Sequence, residues 1–398
     1  MSGFRGIAAI SGYAETPFSR ARVDKGEPRL TAEEYYAWAL ELLLKQTGLE
    51  KKDLTGQGVG IIGSEWPHSE IWSAEAIQNL GLEPKLLVRA DHGGANAAAL
   101  LVQGVLAIQA GYVEHFLMLG ADTPLSITGP ASRTWRYDEN YLKPFGTMGP
   151  NSLIAMAMRR YMNDYGAKPE HFGTVSVVQR KHATLNPNAY LKTPLTMEDY
   201  LNSRLISDPL RLLDICIWVN GGFAILLSSA SAAKRITDKP VSILGFGEWH
   251  NPNAGQPMHD ITTTGVKIAA EQAYKMSGIT PRDVSLFQPY DDYTVAVLMQ
   301  IEDAGFCKKG EAGRFLEEND ISYQGQLPVN TGGGQLSAGQ AGMAGGFLHF
   351  VEAARQLRGE AGQRQVKDAR IGLVTSLGCV GFEGHFINNY AVVLGGEV

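Results

Sequence analysis

Four segments of this 398-residue chain concentrate groups able to act on a carbonyl. Residues 88–111, VRADHGGANAAALLVQGVLAIQAG, place Asp91 and His92 before Gly93-Gly94, at the head of an apolar helix built from small residues. Backbone N–H groups at a helix start lack intrahelical partners and face negative charge. They suit the oxygen of an enolate or a thioester, and His92 beside them is an acid–base candidate. Residues 288–294, QPYDDYT, offer Tyr290. A phenol donates a hydrogen bond to an oxyanion, and relays a proton where its pKa is lowered. Asp291 and Asp292 beside it read as cap or structural residues, and Tyr293 as core. Residues 330–346, NTGGGQLSAGQAGMAGG, carry Gln340, whose amide donates a hydrogen bond but moves no proton near neutral pH. Residues 375–385, TSLGCVGFEGH, carry Cys379, a thiol able to protonate a carbanion, and His385, a further acid–base candidate.

Other chemistries find less support. His349 and Glu352 share a helix face at a spacing that resembles metal ligands, but no third ligand is evident, so no metal is expected. The glycine run 332–334 lacks the Lys-Ser/Thr of a phosphate-binding loop. The three cysteines, Cys216, Cys307 and Cys379, form no CxxC pair; they read as reduced thiols in a reducing cytosol, two of them in the core. A net charge of −6 argues against a general nucleic-acid binder, whose footprint is basic. No apolar run reaches the length of about 18 residues that a membrane helix needs. Residues 1–10 lack the basic start and apolar stretch of a secretory leader, and the final Gly-Glu-Val is no peroxisomal signal. A cytoplasmic protein, with no membrane insertion, is expected.

The elements that position these groups occur twice. Residues 6–13 (GIAAISGY) and 240–247 (PVSILGFG) read as strands, each followed by a loop and a helix. The first helix opens on a capping box at residues 31–34 (TAEE) and closes near Gly48; the second, VKIAAEQAYKMSG, closes at Gly278. Strands follow at 58–63 and 284–288, then small-residue helices at 88–110 and 342–357, then strands at 116–119 and 371–375. Residues 213–228 complete the first half. The alternation predicts an α/β fold with mostly parallel sheets. Residues 123–205 break it. They contain Pro130, Arg133, Trp135, Arg136 and Tyr137, a helical stretch at 152–165, and HATLNPNAY at 182–190.

Together the segments at 88–111, 330–346 and 375–385 resemble the three signature segments of the thiolase superfamily. The resemblance spans essentially the whole chain and implies a thiolase fold: duplicated βαβαβαββ halves in five layers, αβαβα. The halves are expected at residues 1–235, including an inserted loop domain at 123–205, and at 236–398. Residues 172–209, with LTMEDYL at 195–201, look most like the sterol-carrier-protein or lipid-transfer type. The resemblance also exposes losses. Counting back from Gly111 puts Gly94 where the acyl-accepting cysteine belongs, and no cysteine precedes Cys216, so no shift of register restores it. Gln340 stands in place of the histidine of a Gly-His-Pro motif. Tyr290 stands where an Asn or His helps hold the thioester carbonyl, a tyrosine associated with steroid side-chain aldolases; those are expected to carry a second tyrosine at the position of Gln340. Cys379 matches the acid–base cysteine, and Gly381 the glycine whose N–H completes an oxyanion hole.

What this implies is a carbon–carbon lyase for CoA thioesters in steroid or lipid metabolism, performing retro-aldol cleavage of a β-hydroxyacyl-CoA without an acyl-enzyme. Tyr290 or His92 is the expected base. Gly381 N–H and Gln340 are the expected donors, Gly94 leaves room for bulkier substrate, and Cys379 protonates the enolate. The alternatives are a non-catalytic acyl-CoA or lipid-binding subunit and an acyltransferase resembling acetyl-CoA acetyltransferase. No tightly bound cofactor is expected, with CoA entering as part of the substrate. A homodimer and a small OB-fold, zinc-ribbon partner protein are the implied assembly.

Overall fold

The computed structural model describes residues 4–62, 71–126, 142–147, 149–252, 260–381 and 384–396. Gly63 and the cluster from Pro130 to Tyr137 lie outside them. The first half runs β1 (Ala8–Glu15), α1 (Ala32–Thr47), β2 (Gly58–Ile62), α2 (Trp72–Leu80), β3 (Leu86–Ala90), α3 (Asn96–Gln109) and β4 (His115–Asp122). Helix α1 starts as its sequence predicts. The Glu34 N–H donates to Thr31 Oγ1 at 3.3 Å, and the Thr31 N–H donates to Glu34 Oε2 at 2.7 Å. Gly48 then ends it in the left-handed region that its missing Cβ permits.

An insertion follows, with α4 (Gly149–Tyr165), α5 (Pro169–Thr184), α6 (Met197–Leu201) and a small hairpin of β5 (Leu205–Ser207) and β6 (Leu210–Arg211). Then come β7 (Gly221–Ser229) and α7 (Ala230–Ile236). The second half comprises β8 (Val241–His250), α8 (Val266–Ser277), β9 (Leu286–Gln288), α9 (Thr294–Asp303), α10 (Ala312–Glu318), α11 (Phe347–Leu357), β10 (Ile371–Val380) and β11 (Phe386–Gly395).

The main sheet has the order β3-β2-β4-β7-β1-β8-β11-β10-β9 among the described residues, and five of its eight strand pairings are antiparallel, against the mostly parallel sheet expected from the alternation of elements. It is two half-sheets joined by a short antiparallel ladder, Ala9 opposite Ser242 and Ile10 opposite Val241. The halves repeat one another, β1-β2-β4-β7 against β8-β9-β10-β11. Val329 bridges Phe287 in parallel, as β3 pairs with β2 in the first half. Helices α1 and α8 each cover the outer face of their own half-sheet, whereas α3 and α11 lie between the halves, each touching strands of both. The result is the five-layered αβαβα arrangement. Its centre is closely packed: Leu100, Leu101 and Val105 of α3 are fully buried, each contributing roughly 1.5–3 kcal/mol of transfer free energy.

Two small-residue helices are shorter than their composition predicts. Residues 88–90 extend edge strand β3, with Val88 opposite Gly60 and Ala90 opposite Ile62, and α3 begins only at Asn96. In the second half a tight turn at Gly342–Ala344 precedes α11, which begins at Phe347. Both glycine-rich leaders therefore stay outside the helix and approach one another. A Cβ on Gly346 would lie 2.3 Å from the Gly94 carbonyl oxygen. Residues 215–219 form an irregular segment against the loops after β9 and before α11.

Candidate active site

The starts of α3 and α11 and the C-terminal ends of β9 and β10 meet at one place. Tyr290, two residues after β9, is fixed there by its backbone. Its N–H donates to Thr375 O on β10 at 3.0 Å. Its carbonyl accepts from Gln300 Nε2 on α9 at 2.7 Å, and Thr375 Oγ1 donates to Gln300 Oε1 at 2.8 Å. So held, the side chain reaches the start of α3. A Cβ built on Gly94 would lie 2.1 Å from the Tyr290 hydroxyl and 2.6 Å from the Leu377 carbonyl oxygen. The space opened by Gly94 is thus taken by the phenol, not left as the room for substrate that the sequence suggests.

Gln340 donates from Nε2 to the Tyr290 hydroxyl at 3.0 Å, and its Oε1 accepts from the Cys216 thiol at 3.1 Å. Its backbone is pinned to the 215–219 segment on both sides, Gln340 N–H to Ile217 O at 2.7 Å and Val219 N–H to Gln340 O at 3.0 Å. With the hydroxyl oxygen accepting from the amide, the phenolic proton is left to donate to another oxygen. Burial, then the charges of Asp292 and Cys216, push the phenol well above its ordinary value. The environment therefore equips Tyr290 as a hydrogen-bond donor to a developing oxyanion and opposes its service as the base.

Asp291 and Asp292 diverge. Asp291 accepts from the Gln335 N–H at 2.9 Å and the Leu336 N–H at 3.3 Å, and His349 Nε2 lies 3.3 Å from its Oδ1. Burial pushes the Asp291 carboxyl up and the His349 imidazole down to about 3, so both are held towards their neutral forms. Glu352, on the same helix as His349, is engaged by Arg364 at 2.8 Å and Arg355 at 2.9 Å. Burial opposes its charge, yet the two guanidinium groups hold it down at about 2. The metal-like spacing of His349 and Glu352 thus serves two separate networks. Among the described residues no three His, Cys, Asp or Glu side chains converge as a metal site. Asp292 keeps one carboxylate oxygen, Oδ1, sealed from solvent without a hydrogen-bond partner, and burial pushes its carboxyl up to about 7.

The remaining candidates line the other side. His92 precedes the turn into α3, and its Nδ1 pairs with the Tyr390 hydroxyl at 2.7 Å. Its ring stands edge-on to His250 at 5.3 Å, and burial together with His250 lowers its pKa, which favours the neutral imidazole. Cys379 adopts a positive φ of 57°, rare for a residue with a side chain. A Cβ on Gly93 would lie 2.8 Å from its sulfur, so the thiol packs on the backbone beside Gly94. Gly381 departs from its expected role. Its N–H donates to His385 O at 2.9 Å inside the turn between β10 and β11, and so is already engaged. The His385 ring bonds Asn251 at 3.0 Å from Nε2.

The structure therefore unites Tyr290, Gly94 and Gln340, sets Cys379 and His92 beside them, and joins Gly381 to His385 in one turn. The structure adds Cys216 and Gln300 to this cluster, neither of which the sequence marks as a site residue. Cys216 carried only a core signal, because its partner Gln340 lies 124 residues further on.

A duplicated α/β core whose two central helices open on one corner defines a thiolase-fold protein. Comparison with known proteins agrees. Residues 247–395 match the thiolase C-terminal domain-like family. The chain is 35% identical over 379 residues, 90% of this chain and 92% of the other, to the steroid side-chain-cleaving aldolase of Thermomonospora curvata. It is 32% identical over 341 residues, 85% of this chain and 89% of the other, to an acetyl-CoA acetyltransferase of Methanothermobacter thermautotrophicus. The solved structure of an Ltp2–ChsH2(DUF35) aldolase covers 98% of both chains with a TM-score of 0.85 at 32% identity. The chain belongs to the thiolase superfamily, in the branch of the steroid side-chain-cleaving aldolases and sterol-carrier-protein-type thiolases.

Proposed function

We propose that this chain is a carbon–carbon lyase that cleaves a β-hydroxyacyl-CoA by a retro-aldol reaction, with no acyl-enzyme. The observation that carries the reading is the Tyr290 hydroxyl lying where a nucleophilic side chain at position 94 would have to stand. A retro-aldol step needs an oxyanion donor for the thioester oxygen, a base for the β-hydroxyl and a proton for the enolate carbon. Tyr290, oriented by Gln340, supplies the first, and the Cys379 thiol the last. CoA enters only as part of the substrate.

Likeness to the steroid side-chain-cleaving aldolase supports a bulky, steroid-like acyl group. Likeness to an aldolase structure that includes a DUF35 protein supports a partner protein; the partner we propose is a small OB-fold, zinc-ribbon protein, bound to a homodimer of this chain. Three cysteines outside any disulfide fit a cytoplasmic setting, and no helix among the described residues is long and apolar enough to cross a membrane.

The test is cleavage of β-hydroxyacyl-CoA thioesters, steroidal and simple, by the chain alone and with a co-expressed small partner. Release of a carbonyl fragment together with the shortened acyl-CoA is expected. Tight acyl-CoA binding without release under any of these conditions would replace the lyase with the binding subunit. Acyl exchange between two CoA thioesters would replace it with the acyltransferase.

A further inference from the structure

The retro-aldol reading leaves the base unassigned. Tyr290 keeps its proton, Gln340 has none to exchange, and both oxygens of Asp291 accept backbone N–H groups. His92 Nδ1 is committed to Tyr390. Resting on that reading, we infer that Asp292 is the general base, its Oδ1 taking the β-hydroxyl proton while Tyr290 holds the thioester oxygen.

Three observations place Asp292 in this role. Its Oδ1 is sealed from solvent and has no hydrogen-bond partner, which for a buried carboxylate oxygen is costly unless another group arrives to use it. Its backbone carbonyl accepts the Cys216 N–H at 2.9 Å, tying it to the residue whose thiol orients Gln340, which in turn orients Tyr290. Its charge is the strongest of those acting on the Tyr290 phenol, which sets the two groups at one site. The titratable groups facing it are Tyr290 and Asp291 from its own loop, Cys216 from the 215–219 segment, and His349 of α11 behind Asp291. Burial pushes the Asp292 carboxyl up to about 7, where a base exchanges protons most effectively at neutral pH.

The step balances without an oxidant or reductant. Asp292 accepts the hydroxyl proton, the oxygen electron pair becomes the new C=O, and the Cα–Cβ pair moves into the thioester enolate held by Tyr290. Cα then takes a proton from the Cys379 thiol, and the proton on Asp292 restores that thiol by way of solvent.

The experiment compares wild type, Asp292→Asn and Asp292→Glu in the assembled enzyme, each checked for folding and acyl-CoA binding. The wild-type kcat/KM for cleavage should rise with pH through a limb near 7. Asp292→Asn should lose roughly 10²–10⁴-fold in rate and the limb with it, with binding unchanged. Asp292→Glu should retain a limb at a displaced pH. A wild type that cleaves, with Asp292→Asn within tenfold of it and the same limb, overturns the role of Asp292 alone. If Asp292→Asn fails to fold, Asp292→Glu decides: an undisplaced limb overturns the assignment. A wild type that cleaves nothing overturns the lyase reading and this role together.

Discussion

The Tyr290 hydroxyl and the Gly94 backbone share one space: a Cβ at position 94 would lie 2.1 Å from that oxygen and 2.2 Å from the ring carbon bearing it. The two residues are coupled, because position 94 cannot grow while the phenol stands there. The absence of a nucleophile at the start of α3 and the presence of a phenol after β9 are thus one structural fact.

Restoring the missing cysteine should therefore fail to restore acyl-enzyme chemistry. Gly94→Cys is expected to give no covalent adduct on residues 88–100 after incubation with acyl-CoA, read by intact mass and peptide mapping. Gly94→Ala should destabilise the fold by about 1–3 kcal/mol through overpacking. Most of that loss should vanish in a Tyr290→Ala background, a coupling that a double-mutant cycle measures. Additive losses would mean that the contact is relieved elsewhere.

Tyr290 should matter more than Cys379. Losing one oxyanion donor costs roughly 10²–10³-fold in turnover, and Tyr290→Phe should fall in that range. Cys379→Ala should cost about tenfold, since water can also protonate an enolate. Steady-state cleavage by the two variants decides the order. Full activity in Tyr290→Phe with none in Cys379→Ala would invert these roles.

Gln340 acts through Tyr290, and Cys216 through Gln340. Gln340→Leu removes the hydrogen bond to the Tyr290 hydroxyl, worth about 1 kcal/mol net, along with the weaker one from the Cys216 thiol, so cleavage should slow by roughly five- to tenfold while the fold persists. Cys216→Ala should have a smaller effect in the same direction. Equal rates in wild type and Gln340→Leu would show that packing alone orients the phenol.

Acid should weaken the fold below neutrality, before most carboxylates protonate. His182 is fully buried, its Nδ1 at 3.1 Å from Asn330 O and its Nε2 accepting from the Tyr323 N–H at 3.0 Å. Nδ1–H can donate to that carbonyl in either charge state, but Nε2 accepts only while the ring is neutral. Burial lowers its pKa from 6.5 to about 4, so the unfolded chain binds more protons between those values. The stability from His182 is complete above about pH 6.5 and is lost as pH falls towards about 4. Thermal midpoints taken downward from neutrality should fall across that window. His182→Gln should melt lower at neutral pH but with a shallower slope; an unchanged slope would assign the acid sensitivity to other groups.

The sequence by itself determined the thiolase fold, the duplicated halves and the loss of the nucleophile. These are local or repeated properties. The capping box Thr31–Glu34 and the terminator Gly48 act within one turn of the helix they bound, and the absence of any cysteine before Cys216 needs no coordinates. Tyr290 and Gln340 were legible as candidates because they stand in recognisable motifs. Their relation was not. Gln340 reaches Tyr290 across 50 residues of chain and Cys216 across 124, and nothing in either local sequence encodes those meetings. Only the tertiary structure filled the gap at Gly94 with a phenol, engaged the Gly381 N–H within its own turn, and turned Asp292 from an apparent cap into a carboxylate with one sealed, unpartnered oxygen. The physical reason is that proton affinity and donor availability depend on burial and on which groups face each other, and packing decides both after the chain has folded.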